Sequence, residues 1–431
     1  QAYYDQLTGL PNRALFMELL KEAEELEAKG DEYAVLFIDV DNLKPVNDSL
    51  GHEAGDTLLK AVTQRMLESV RGEDTVARLS GDEFAVLLCG TGSAEHAEIV
   101  AERVLASLKT PVTIGDHLVR AGVSIGLATS EACHAIDISP LRAADMAMYV
   151  AKSGGKGRCE VFEPSLHAAQ VQREQLRADL HEALDAGQFE LFYQPIVDLP
   201  TQRVSGFEAL LRWRHPERGV LVPAEFLAEA DACGVMVPVG RWALAEACRQ
   251  VRAWEALHPQ AAPASVAVNL SARQLRHPGI VADVEDALTA AGLPGSRLQL
   301  EITEGAVMEN GPGAVETLRR LKVLGVRLSV DDFGVGYSSL SYLHRFPVDV
   351  LKVDRSFVTG LGSVAACGDI VRAIVGMAHG LGLDVVAEGV ETAEHLVQVR
   401  ALDCDFAQGY FFSHPVSGDE AGTLLGAAPA W

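Results

Sequence analysis

The sequence predicts an α/β protein in two parts, a ferredoxin-like palm followed by a TIM-like (β/α) barrel. Three observations carry that expectation. The first half alternates strand and helix signals in the order β-α-β-β-α-β, with one further helix. The second half repeats a short apolar run ending in a carboxylate, amide or amine, with helical segments between the runs. The two halves do not resemble each other, which excludes a repeat array. A chain of 431 residues has room for two domains. We expect them at 1–163 and 188–431, joined by a connecting helix over 164–187.

In the first half, residues 33–39 (YAVLFID) form a buried-strand run and 53–70 carry helical spacing. Residues 75–79 and 83–89 read as strands flanking a turn at Ser80-Gly81-Asp82. Residues 94–108 are helical, 118–128 a strand, and 140–152 a helix with proline at its start. Gly154-Gly155-Lys156-Gly157 breaks the pattern, and 166–186 form a helix polar enough to be exposed. From Phe189 to Phe411, βα units follow one another. Their junctions are Phe207-Glu208, Val268-Asn269, Leu300-Glu301, Val330-Asp331-Asp332, Leu351-Lys352, Ala387-Glu388 and Ala407-Gln408.

In a closed parallel barrel the C-terminal strand ends converge on one mouth. Four carboxylate-bearing junctions gathered there would repel one another unless cations lay between them. The pattern points to a metal-dependent hydrolase or ligase. Composition narrows the class further. A net charge of −24 argues against binding a nucleic acid polymer or an anionic membrane surface. The apolar fraction of 48% supports sizeable cores, yet no apolar run approaches the ~20 residues needed to span a bilayer. Seven cysteines without a CxxC pair or signal peptide favour a reducing cytoplasm. The chain opens at Gln1 without an initiator methionine, so an upstream sensor region is expected outside it, with a membrane tether for the full-length protein as one form.

The first half carries its own acidic features. Asp39 ends the first strand and Asp82-Glu83 sits at the following hairpin. If those strands are neighbours, three carboxylates meet at one sheet edge and can hold one or two Mg²⁺ that grasp phosphate oxygens. Lys44 and Lys152 could neutralise phosphate charge, and Asn47 and Asp56 have the chemistry for a guanine edge. A solvated turn is the competing reading of the acidic pair.

Taken together these residues resemble a GGDEF domain. The resemblance rests on Tyr4-Asp5-Gln6-Leu7-Thr8-Gly9-Leu10-Pro11-Asn12-Arg13, Phe37-Ile38-Asp39-Val40-Asp41, Asn47 to Asp56, and Ser80-Gly81-Asp82-Glu83-Phe84. It implies diguanylate cyclase chemistry, joining two GTP molecules across a dimer. Asp39 and Glu83 would bind metal, and Asp82 would assist the metal and the attacking 3′-hydroxyl. Asn47 and Asp56 would hold guanine, with Lys44, Gly81, Lys152 and Lys156 on the phosphates. Two positions depart from the family: Ser80 replaces a glycine, at about 1 kcal/mol if the turn needs positive φ there. Lys156 replaces a common arginine and loses a bidentate phosphate fork. Arg71 and Asp74 match an RxxD product-inhibition site, with an exposed helix-end ion pair as the alternative.

The second half resembles EAL domains through Phe207-Glu208-Ala209-Leu210-Leu211-Arg212-Trp213, Tyr193-Gln194-Pro195-Ile196, Asn269 to Leu275 and Glu301-Ile302-Thr303-Glu304. Asp331 to Leu340, Leu351 to Asp354, Ala387 to Thr392 and Gln408-Gly409-Tyr410 extend the agreement. It implies a phosphodiesterase that opens cyclic di-GMP (c-di-GMP) to linear pGpG with two Mg²⁺ or Mn²⁺ ions. Glu208, Asn269, Glu301 and Asp331 match ligands of the first ion. Asp331 would bridge to the second, joined by Asp332 and Glu388. An all-oxygen set suits Mg²⁺ or Mn²⁺ better than Zn²⁺. Lys352 would sit beside the attacking water as orienter or proton acceptor. Gln194, Arg212 and Gln408 would touch substrate. Glu304 and Glu391 would hold the loop from Phe333 to Leu340, where Val335 replaces a usual threonine. That loop and the next helix would build a homodimer interface. Trp213, Trp242 and Trp254 read as core. The competing reading from another class is a catalytically silent receptor for c-di-GMP and GTP that signals to a partner.

Overall fold

The computed structural model describes residues 3–27, 32–90, 94–259, 265–335, 346–362, 365–427 and 431. Gln1–Glu174 and Gln175–Trp431 form two compact units. Among the described residues, no helix is long and apolar enough to cross a membrane.

The first unit runs α1 (Arg13–Glu27), β1 (Tyr33–Asp41), α2 (Leu43–Leu50), α3 (His52–Ser69), β2 (Thr75–Ser80), β3 (Glu83–Cys89) and α4 (Ala94–Leu108). It continues with β4 (Val112–Ile114), β5 (His117–Val119), β6 (Gly122–Thr129), α5 (Ser130–His134), α6 (Pro140–Ser153) and β7 (Cys159–Val161). The sheet order is β2-β3-β1-β6-β7, with β1 central and antiparallel to both β3 and β6. Strand β1 is buried along its whole length because both faces are covered. Alternation splits its side chains between two cores. Leu36, Ile38 and Val40 pack with Leu58, Val62 and Val104 of α3 and α4. Val35 and Phe37 pack with Phe16 and Leu20 of α1 and with Ala144 and Ala147 of α6. Asp39 continues the second series, toward the α6 side.

Two expectations need correction. The strand expected over 118–128 is divided, because β5 folds back on β4 through a turn at Gly115 (φ 58°), and β6 starts only at Gly122. The expected turn residue Ser80 belongs to β2, and only Gly81 there has positive φ, at 46°. Helix α2 had no expected counterpart. Its Pro45 falls in the first turn, where no backbone donor is lost.

The second unit follows α7 (Pro164–Ala183), whose Leu176, Leu180 and Ala183 bury against it. Its strands are β8 (Phe189–Asp198), β9 (Arg203–His215), β10 (Gly219–Leu221), β11 (Ser265–Leu270), β12 (Leu298–Thr303), β13 (Arg327–Phe333), β14 (Val350–Val353), β15 (Asp384–Ala387) and β16 (Phe406–Ala407). Between them lie α8 (Pro223–Ala232), α9 (Met236–Leu257), α10 (Ala272–Arg276), α11 (Ile280–Ala291), α12 (Glu304–Val323), α13 (Arg355–Thr359), α14 (Ala365–Gly380), α15 (Ala393–Ala401) and, after β16, α16 (Gly418–Ala427). Eight strands close a barrel in the order β9-β11-β12-β13-β14-β15-β16-β8, with β8 also pairing β9. Strand β8 is antiparallel to both neighbours, so the barrel opens with a hairpin, not a βα unit. Trp213 and Trp254 are buried in its cores, and Trp242 packs against them. In the expected 333–340 loop, Gly334 has φ 102° and Val335 is exposed. Residues 336–340 of that loop lie outside the described residues.

Candidate active site

Parallel pairing aligns the strand ends of the barrel, and the inward faces bring the junction residues together. Glu208 on β9 stands level with Ala267 on β11, and Asn269 with Glu301 on β12. Glu208 accepts hydrogen bonds from Asn269 Nδ2 at 2.7 Å and Gln408 Nε2 at 2.6 Å. The same Gln408 nitrogen reaches Gln194 Oε1 at 2.9 Å, and Gln194 Nε2 donates to the Ser413 carbonyl at 3.0 Å. Gln194 reaches this network from β8, where it pairs with Glu208 across the antiparallel ladder.

Lys352 sits in the middle of the carboxylates. Its Nζ lies 2.6 Å from Glu388, 2.7 Å from Glu301, 3.3 Å from Asp331 and 3.4 Å from Glu208. Burial alone would push this ammonium down, but Glu208, Glu301, Glu388 and Asp331 together hold it well above the ordinary lysine value. One cation cannot keep four carboxylates ionised in a buried site. Burial raises Glu301 far above the usual carboxylate range, against the pull of Lys352. Glu388 is pushed up to about 8 by burial, with Asp331 and Glu208 adding to it and Lys352 opposing. Glu208 is likewise buried, yet Lys352 and the two amide donors outweigh burial and hold it low.

Adjacent strand residues normally point to opposite faces. Asp331 and Asp332 escape that rule because Asp332 takes left-handed backbone at φ 53° and the β13–β14 register shifts between Val330 and Phe333. Carboxylate oxygens of Asp331, Asp332 and Glu388 then all lie within 4.8 Å of one another, the one such acidic group among the described residues. Asp331 Oδ1 is buried with Lys352 Nζ 3.3 Å away, and Glu304 Oε2 at the start of α12 is buried without a hydrogen-bond partner. Burial, then Asp331 and Asp354, raise Asp332 above its ordinary value.

A cleft of about 160 Å³ opens beside this cluster, lined by Gln194, Glu208, Glu388, Glu391 and Gln408. Arg355 and Tyr410 line it too, and neither was among the expected site residues. Arg355 is the first residue of α13, just beyond the junction that supplies Lys352. Gly389 (φ 73°) packs against it, since a Cβ there would stand 2.6 Å from Arg355 Cβ. Arg212 lies further along β9, its guanidinium 5.5 Å from the Phe192 ring centre.

In the first unit, Asp39 and Glu83 pair across β1 and β3, and Val40 N–H donates to the Asp82 carbonyl at 3.1 Å. Lys152 of α6 meets Asp39 at 2.7 Å. Burial raises the Asp39 carboxyl, with Lys152 opposing and Asp82 and Asp41 adding. Asp39, Asp82 and Glu83 do not reach the mutual spacing seen in the barrel. Ser80, in strand backbone, donates its hydroxyl to Glu83, so the strain conditional on positive φ there does not arise. Lys156 Nζ donates to Asn42 Oδ1 at 3.0 Å. Asn47 lies over α3, since a Cβ at Gly55 would stand 2.0 Å from its Oδ1, and Asp56 is the next residue. Lys44 is exposed on α2. Arg71 and Asp74 are not joined side chain to side chain in the contacts seen. Asp74 accepts from the Arg71 backbone N–H at 2.8 Å, and the Arg71 guanidinium lies 3.0 Å from His96 Nε2.

The chain matches the family model of the EAL domain over residues 177–415 and that of the diguanylate cyclase, GGDEF domain over residues 2–158. It is 41% identical over 424 residues to the bifunctional diguanylate cyclase/cyclic di-GMP phosphodiesterase MucR of Pseudomonas aeruginosa, spanning 97% of this chain and 61% of MucR. It is 41% identical over 421 residues to the cyclic di-GMP phosphodiesterase NbdA of the same organism, spanning 96% of this chain and 53% of NbdA. The chain thus covers between half and two thirds of the length of these relatives. Among solved structures, the MucR phosphodiesterase in complex with c-di-GMP is 42% identical, with a TM-score of 0.55 over 57% of this chain and 99% of that one. The EAL enzyme Bd1971, bound to cAMP and c-di-GMP, is 33% identical, with a TM-score of 0.57 over 60% of this chain and 70% of that one. Barrel topology, the acidic mouth and these matches agree, and the chain belongs to the GGDEF–EAL family, a GGDEF domain followed by an EAL domain.

Proposed function

We propose that the barrel hydrolyses c-di-GMP to linear pGpG with two divalent ions, Mg²⁺ or Mn²⁺. The observation that carries this reading is the convergence of Glu208, Glu301, Asp331 and Glu388 on Lys352 in one buried mouth. The donor set fits such ions. It is all oxygen, Asp331 Oδ1 is buried beside the Lys352 ammonium at 3.3 Å, and Asp331, Asp332 and Glu388 crowd within 4.8 Å. Glu208, Asn269, Glu301 and Asp331 would hold one ion, and Asp331, Asp332 and Glu388 the other. When bound, the ions supply hydroxide near neutral pH and offset the charge of the phosphodiester.

The remaining work falls to the chain's own side chains. Asn269 spends its N–H on Glu208, which leaves its carbonyl oxygen for ligation. Gln408 and Gln194 fix Glu208 from the opposite side and line the cleft where substrate enters. Arg355 and Arg212 offset substrate phosphate charge. Lys352, held as an ammonium, orients the attacking water among the carboxylates. Glu304 and Glu391 support the loop beyond Asp332. The GGDEF unit binds GTP through Asp39, Asp82, Glu83, Asn47 and Asp56, and its synthase activity is the weaker of the two. The full protein works as a cytoplasmic homodimer under an upstream sensor.

The test is chromatographic. The chain with Mg²⁺ and c-di-GMP is expected to yield pGpG, and Glu208→Ala to yield none. Intact dinucleotide bound by a folded, metal-replete parent would favour a receptor. Incubating Glu208→Ala with GTP separates synthesis, read as c-di-GMP, from simple GTP binding.

A further inference from the structure

Below the acidic mouth lies a buried amide. Gln299 precedes Glu301 by two residues on β12, so both side chains face the barrel interior. Gln299 is 5% exposed and Glu301 0%. The Gln299 Nε2 lies 3.3 Å from Glu301 Oε1 and 3.3 Å from Ser329 Oγ on β13. The space beside it is lined by Ile196, Val350 and Val386 together with Ser205, Ser265 and Arg327. A buried amide is costly unless its hydrogen bonds are made.

The bonds it makes have a direction. Gln299 takes Oε1 of Glu301, while Lys352 takes Oε2 at 2.7 Å. Glu301 thus has one oxygen tied down toward the barrel base and the other turned to the cluster. Glu208, the other enclosed carboxylate of the mouth, is gripped by amides in the same way, through Asn269 and Gln408.

We propose that Gln299 is a positioning residue for the hydrolysis: its N–H locks the rotation of the Glu301 carboxylate so that Oε2 faces Lys352 and the divalent-ion ligands. The inference rests on the metal-dependent reading above. Partners that orient a ligand from behind are worth about 10–100-fold in metal affinity.

The test uses the full chain and Gln299→Met, which keeps the length of the side chain and removes the donor. Mn²⁺ binding is followed by calorimetry without substrate, alongside kcat, KM and the thermal midpoint. We expect Mn²⁺ affinity to fall by about 10–100-fold. kcat should fall at fixed subsaturating Mn²⁺, with KM for c-di-GMP changed less than about twofold, as expected when substrate binding is untouched. Ser329→Ala, which leaves the amide bonded to Glu301, should bind Mn²⁺ like the parent. Gln299→Met with Mn²⁺ affinity equal to the parent's overturns the proposal, even if the thermal midpoint drops, because packing alone would then be its role. Should Gln299→Met fail to fold, Gln299→Ala takes its place under the same criteria, since its vacated volume opens to the cleft at the barrel base. A parent that neither binds Mn²⁺ nor opens c-di-GMP overturns the phosphodiesterase reading itself. A parent that does both beside an unchanged Gln299→Met overturns only the role of Gln299.

Discussion

Lys352 and Glu301 stand on β14 and β12, two strands apart, with charged atoms meeting at 2.7 Å and side chains 1% and 0% exposed. The same ammonium holds the enclosed Glu208 carboxyl low, so removing it leaves a buried charge uncompensated. Lys352→Met should therefore lower the stability of the metal-free protein by about 3–5 kcal/mol. Added Mn²⁺ should recover more of that loss than it adds to the parent. Thermal melts in chelator and in excess Mn²⁺ check this. Equal Mn²⁺ shifts in parent and variant would refute it.

Glu388 gives the pH dependence its sign. Its folded value of about 8 lies above the ordinary carboxyl value of 4.5. Between those values the folded state holds a proton that the unfolded state releases, so stability of the metal-free protein falls as pH rises through that window. Metal must displace the same proton. Mn²⁺ affinity should climb with pH through 8, as calorimetry from pH 6 to 9 would record. A flat profile over that range contradicts the assignment.

Asp332→Asn separates charge from backbone. Asparagine tolerates the left-handed conformation that Asp332 adopts at φ 53°. The variant also removes like-charge repulsion from Asp331. Its thermal midpoint without metal should match or exceed the parent's. Mn²⁺ binding should weaken by at least the ~10–100-fold typical of losing an outer partner. A variant that melts earlier yet still binds metal like the parent would show that this side chain is structural.

Ser80→Gly tests the GGDEF turn. Ser80 sits in strand backbone and only Gly81 carries positive φ, so glycine at 80 relieves no strain. In the Glu208→Ala background, c-di-GMP formation from GTP should change less than about threefold, under 0.7 kcal/mol by the usual rate arithmetic. A large gain on Ser80→Gly would mean the turn rearranges when nucleotide binds.

The junction residues were legible because a strand that ends at a barrel mouth must show its last inward side chain there. Glu208, Glu301, Asp331, Lys352 and Glu388 meet for that reason alone. What stayed hidden depends on contacts far apart in sequence. Nothing in residues 189–198 marks β8 as reversed, since a buried strand reads the same in either direction. Arg355 was missed because it begins a helix, where a charged residue usually faces solvent. The division of 118–128 turned on Gly115, outside the apolar run. Lys352 was expected beside the attacking water, and its place among four carboxylates could follow only from the closed ring.

The displaced pairing between β13 and β14 has a mechanical consequence. Asp331 and Asp332 owe their common direction to one irregular step, and Phe333 beyond it pairs with Val353, next to Lys352. A slip of one strand past the other would swing both aspartates aside and uncouple the ammonium in a single movement. Such a slip would shift Asp331, Asp332 and Lys352 together, while Glu208 stays held by Asn269 and Gln408 from other strands.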